Sequence, residues 1–179
     1  NLSAWSLLEV EAGHRSIDLA TDWPLYAMNR AAVRQWLSMS ATRFTVSPED
    51  GLPNVVSLAR EFPEQIVVVV YQDTPLFISE TPPLPAAETP EVCALTSCRG
   101  EDVLVITRQG RAVTVSQQPL CLVEFLPDLA AAGVRHLRAD FALRPYPPAE
   151  VARIWRALRQ GRAPGPVHTG HFRAGPAVA

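Results

Sequence analysis

QIVVVVY, Gln65 to Tyr71, is the most strand-like stretch of the chain, and its reading decides the fold. A continuous β-branched run has no polar face to turn toward water. It therefore predicts a strand of a parallel sheet, covered on both faces. Working upstream, RFTVS (Arg43 to Ser47) reads as a second buried strand and SIDLA (Ser16 to Ala20) as a third, ended by a turn at Asp22-Trp23-Pro24. Between SIDLA and RFTVS, Leu25, Met28, Asn29, Ala32, Val33, Trp36 and Leu37 recur at helical spacing and predict one amphipathic helix. Asn29 is the strongly polar member of that stripe. Pro48-Glu49-Asp50 opens a second helical stretch over 52–62. The order β-α-β-α-β with short links predicts an α/β layer or barrel.

Downstream the pattern changes. TPPLPAAETP (Thr81 to Pro90) is too rich in proline for regular structure. VLVIT, a Gln109-Gly110 turn and AVTVS predict a β-hairpin over 102–116. Residues 81–118 thus read as an irregular, hairpin-bearing insertion within one α/β domain spanning 1–179. The repeat resumes with a predicted helix over 119–132, which Pro127 either kinks or starts late. HLRADF (His136 to Phe141) reads as a strand. Pro148 to Gln160 reads as a helix with Val151, Ile154, Trp155 and Leu158 on one face. About four core strands are too few for a complete (β/α)₈ barrel of about 250 residues, so half a barrel or a small open sheet is expected.

Bulk composition narrows the function classes. The chain has 179 residues, 47% hydrophobic and 19% charged, which suits a globular domain. A net charge of −2 gives no electrostatic reason to expect nucleic acid as a partner. No apolar run reaches membrane-spanning length. All 16 basic residues are arginine, which excludes a Schiff-base or P-loop lysine from this chain. Three cysteines make no disulfide framework, so a reducing, cytoplasmic setting is expected. The chain begins at Asn1, and the expectation is a piece of a longer protein.

Several residues qualify as site candidates. Ser47 and Glu49 sit at a strand's C-terminal end, where sites of α/β folds lie, although Ser47 also suits a helix cap. Tyr71 and Asp140 fall at or near strand ends too, with Arg138 and Arg144 as alternative partners for Asp140. His171 lies in a glycine-flanked loop that permits close backbone approach. Glu49, Asp140 and His171 together could carry acid–base chemistry, with Ser47 and Tyr71 holding a substrate. Cys93 and Cys98 are a C-x₄-C pair. A zinc site or an iron–sulfur cluster normally takes four ligands, so this pair needs partners such as His168 or His171. HExxH, GxSxG and Cys-His protease signatures are missing.

Six segments in order resemble the U32 peptidase family: LYAMNRAAVRQWL, FTVSPE, VVVYQDTPLFISE, CALTSCRGE, PLCLVEFLPDLAAAGVRHLRADF and HTGHFRAG. With the short strand that precedes the first of them, they span about Ser16 to Gly175. The resemblance implies the C-terminal half of a TIM-barrel-like domain, and so an α/β, partial TIM-barrel-like (β/α) repeat with a β-hairpin insertion. It implies a peptidase, some members being collagenase-like, acting on a peptide or another small substrate. It also implies an alternative: a non-proteolytic protein with a 4Fe-4S cluster that supports hydroxylation of RNA or of ubiquinone precursors. A degenerate binding or scaffold domain is the remaining form. Asn29 matches the family's asparagine-bearing helix and joins the substrate-binding set. Cys93 and Cys98 match part of a four-cysteine set. The chain departs from the pattern at Thr81-Pro82, where a cysteine is usual, and at Gln72, where glycine is usual. Cys121 falls on the predicted helix, and the arginine of the terminal motif is shifted to Arg173. With these departures, the resemblance implies a divergent member with altered or lost chemistry.

Overall fold

In the computed structural model, residues 5, 7, 18–81, 91–108 and 110–173 are described. The elements run β1 (Ala20–Thr21), α1 (Arg30–Ser38), β2 (Arg43–Thr45), α2 (Leu52–Glu61), β3 (Ile66–Gln72), β4 (Pro75–Ser79) and β5 (Val92–Thr96). They continue with β6 (Asp102–Arg108), β7 (Arg111–Ser116), β8 (Leu120–Cys121), α3 (Leu126–Ala131), β9 (His136–Ala139) and α4 (Pro148–Arg159). The fold is mixed α/β. None of the described helices is long and apolar enough to cross a membrane. The chain divides into two compact units, and β3 contributes to both: residues 66–69 to the first, 70–72 to the second.

The first unit also takes the described residues before β3, 125–138 and 170–173. β1, β2 and β3 run parallel there, with Thr21 opposite Phe44, Phe44 opposite Ile66 and Thr45 opposite Val67. Ile66, Val68 and Val69 are buried, as a two-sided strand requires. Each such side chain contributes about 1.5–3 kcal/mol on burial. Val33 of α1 and Val55, Leu58 and Ala59 of α2 join Phe44 in this core, where Phe44 meets Phe62 edge-on at 6.0 Å.

The predicted helix from Leu25 is corrected. Trp23–Leu25 forms a 3₁₀ turn whose first N–H is taken by the Asp22 side chain, and Tyr26 then adopts φ 48°. That left-handed residue stops a helix. The helix restarts at Arg30 with Asn29 as its cap, the Asn29 side chain accepting the Ala32 N–H at 2.9 Å. Asn29 is therefore a helix start, not a member of a buried stripe.

The helix expected over 119–132 is shortened for a related reason. Pro127 sits in the first turn of α3, where its missing N–H costs nothing. The residues before it form β8 and a 3₁₀ turn, Val123–Phe125. Cys121 thus lies on a strand, not on a helix. Gly133, at φ 95°, closes α3, and Val134 N–H returns to the Leu129 carbonyl at 3.0 Å. The tail is anchored within this unit: Phe172 is buried, packs on Phe125 at 5.1 Å and offers its carbonyl to Leu52 N–H.

The second unit comprises 70–124 and 139–169. The expected hairpin is β6–β7, with Arg108 opposite Arg111 and Gly110 at φ 76° in the turn. It grows into a four-stranded antiparallel sheet in the order β4-β7-β6-β5. The end of β3 pairs antiparallel with β8, Tyr71 opposite Cys121. His168 bridges to Leu120 in parallel, so the segment after α4 lies along β8. On α4, Ile154 and Leu158 are buried, but Trp155 is 51% exposed and does not share their face as predicted.

Candidate functional site

The candidate site grows from the end of β3. After its apolar run the strand delivers three polar-tipped residues to the interior of the second unit: Tyr71, Gln72 and Asp73. A carboxylate withdrawn from water needs a countercharge and hydrogen bonds. Asp73, its side chain 1% exposed, has both. Arg144 Nη2 donates to Oδ1 at 2.8 Å and Tyr146 Oη donates to Oδ2 at 2.9 Å. The same Arg144 nitrogen reaches the carbonyls of Ser116 and Gln117 at 3.3 and 3.1 Å. Gln72 is settled locally by donating to Thr74 Oγ1 at 2.9 Å.

Aromatic rings complete the wall. Tyr71 and Tyr146 hydroxyls lie 3.3 Å apart, and Phe141 packs against both rings at 5.5 and 5.3 Å. The Arg144 guanidinium stands 5.8 Å from the centre of the Tyr146 ring. Burial pushes the pKa values of Tyr71 and Tyr146 upward, so both stay protonated and serve as donors. Burial also raises the pKa of Asp73, with the Arg144 charge opposing that rise. Arg144 Nε is buried with no hydrogen-bond partner among the described residues, a donor that water or a polar ligand group would satisfy.

In front of this wall lies a cleft of about 360 Å³. Gln117, Gln118, Pro119 and Pro164 to Val167 line it together with Glu150 and Arg153 of α4. Arg153 donates to the Pro164 carbonyl at 2.6 Å and stands 3.7 Å from Glu150. The lining combines amides, phenols, proline faces and balanced charges. Such a surface suits hydrogen bonding to amide groups and packing on apolar side chains. Its carboxylate and guanidinium groups are engaged in pairs, and the lining places no nucleophile beside a base.

The residues singled out from the sequence distribute as follows. Tyr71 is in the wall of this cleft. Asp140 belongs to the same unit, half-buried, with its N–H on the Tyr71 carbonyl and its carboxylate accepting the Ala142 N–H. Glu49 and His171 belong to the first unit and are both exposed. Among the described residues no hydrogen bond or ion pair joins them. Ser47 is buried just beyond β2, where its hydroxyl accepts the Glu49 N–H at 3.2 Å. It caps this turn and not α2, whose cap is Gly51. Asn29 caps α1 in the first unit. Cys93 lies on β5 opposite Val105, and Cys98 in the loop beyond Thr96. An extended strand rises about 3.3 Å per residue, which already separates Cys93 from Thr96 by about 10 Å. Among the described residues no group of three His, Cys, Asp or Glu side chains is placed to hold a metal ion.

Sequence reasoning missed Asp73, Tyr146, Gln117, Gln118 and Arg153, and offered Arg144 only as a partner for Asp140. One signal was available: a charged residue directly following a two-sided strand must be paired if it remains inside. Comparison of the chain with family models, with curated proteins and with solved structures gives no match in any of the three.

Proposed function

We propose that the chain is a divergent U32-like domain that binds short peptide segments in the cleft of its second unit. Its parallel β1–β2–β3 run, with α1 and α2 as crossovers, is in keeping with a partial TIM-barrel-like origin. The observation that carries the binding reading is the buried Asp73–Arg144–Tyr146 network. It holds a rigid wall behind a cleft lined with amides, phenols and prolines. A wall held by paired charges is preorganised for binding. The peptidase form would need Glu49, Asp140 and His171 to act together, and the cluster form would need more thiolates than Cys93 and Cys98. The geometry favours binding over both.

An NMR titration of the ¹⁵N-labelled protein with a tryptic digest of casein tests this. Amide shifts are expected at Tyr71, Gln117, Gln118, Tyr146 and Val167, with intact casein left uncut. Absence of shifts at millimolar peptide would overturn the binding reading. Casein cleavage that disappears in Glu49→Ala or His171→Ala would replace it with the peptidase one.

A further inference from the structure

The outward face of α4 carries an arrangement that the cleft does not use. Ile154 and Leu158 fill the interior side of this helix. Ala152, Trp155, Arg156, Arg159 and Gln160 recur at i, i+3, i+4, i+7 and i+8, so they share another face. All five are exposed, and together they line a hollow of about 500 Å³ that holds no acidic residue. The Arg156 and Arg159 side chains have no ion pair or hydrogen bond among the described residues, and Arg162 donates to the Gln160 side chain. Other arginines on helices are compensated: Arg153 stands beside Glu150, and Arg30 and Arg34 share Glu61. A helix C-terminus favours cations, which accounts for arginine in the last turn but not for the indole beside it. A lone exposed apolar residue is ordinary. An indole sharing one hollow with unpaired guanidinium groups joins the residue types that dominate binding energy at protein interfaces.

We propose that this face of α4 docks a short acidic segment of a partner protein, with an apolar side chain on Trp155 and carboxylates on Arg156 and Arg159. Charge complementarity selects the occupant, because an unpaired guanidinium offers a planar fork of donors that matches a carboxylate. From Ala152 to Gln160 the hollow spans about 12 Å of helix, room for two or so carboxylates but for few phosphates. Nucleic-acid affinity is built from many phosphate contacts, and a chain of net charge −2 adds repulsion at long range. The cleft shares none of the five residues, so the proposal stands apart from the reading of the cleft as a peptide site.

The test is fluorescence anisotropy with short, blocked, dye-labelled peptides: glutamates around a central leucine, the same with glutamines for the glutamates, and the same with serine for the leucine. The acidic leucine peptide should bind about tenfold more tightly than the glutamine one, and lose that margin as salt is raised. Arg156→Gln with Arg159→Gln should remove the margin. Serine for leucine in the peptide, or Trp155→Ser in the protein, should each weaken binding about tenfold, and the two together no further. Arg60→Gln, at an exposed arginine of the first unit, should change nothing. All of these changes fall at exposed side chains, and a thermal melt checks that the fold is kept. Equal affinity for the acidic and glutamine peptides, an acidic margin that survives the double arginine variant, or no binding of any peptide would overturn the docking face. An oligouridylate that binds more tightly than the acidic peptide, through the same two arginines, would overturn the acidic segment in favour of a single-stranded nucleic acid.

Discussion

At the residue scale, Asp73 is a buried carboxylate held by a single countercharge. Arg144→Met would strand its carboxylate in the interior and should cost about 3 kcal/mol in urea unfolding. Adding Asp73→Asn should recover much of that loss. Burial raises the pKa of Asp73, so the folded state holds a proton more tightly than the unfolded chain. Stability tied to such a group falls as pH rises through its folded pKa. The Arg144→Met variant should therefore gain stability on acidification relative to Arg144→Met with Asp73→Asn, as urea midpoints at two pH values would show. His168 has the opposite sign. Its pKa is lowered from 6.5 by burial, so the unfolded chain binds the proton first. Below about pH 6.5 the wild type should lose melting temperature relative to His168→Gln, and the two should hold a constant difference above it. In the sequence only the place of Asp73 directly after a two-sided strand pointed to its role, because a buried charge is recognised by its partners, and Asp73 and Arg144 lie more than seventy positions apart.

At the element scale, legibility followed periodicity. β3 declared itself by an unbroken β-branched run, and α2, α4 and the β6–β7 hairpin by clean spacing or a turn glycine. The errors came where capping overrode pattern. The apolar spacing from Leu25 to Leu37 runs across a real boundary, set by the left-handed Tyr26 and the Asn29 cap. Asn29→Ala should accordingly destabilise the protein by about 1 kcal/mol without touching ligand affinity, since Asn29 serves the start of α1. Thermal unfolding beside the peptide titration would separate those two effects. β4 escaped notice because Leu76, Phe77 and Ile78 show no alternation, all three being more than half exposed. β5, VCALT, likewise carries no polar–apolar alternation.

At the scale of the whole molecule, mixed α/β architecture was readable from the order of strands and helices, but the division into two units was not. β3 threads through both, and nothing in its even composition marks the change at Val70. The candidate site was half legible: Tyr71 was named for standing at a strand end, and the groups that make its wall came from three later segments. The central claim is that peptides bind in the second unit, at the cleft lined by the Gln117–Pro119 and Pro164–Val167 segments. The most direct measurement is photo-crosslinking with a short peptide bearing a benzoylphenylalanine, followed by mass-spectrometric mapping of the adducts. The account predicts adducts concentrated on residues 117–119 and 164–167. Adducts concentrated instead on residues 47–50 and His171, in the first unit, would contradict it.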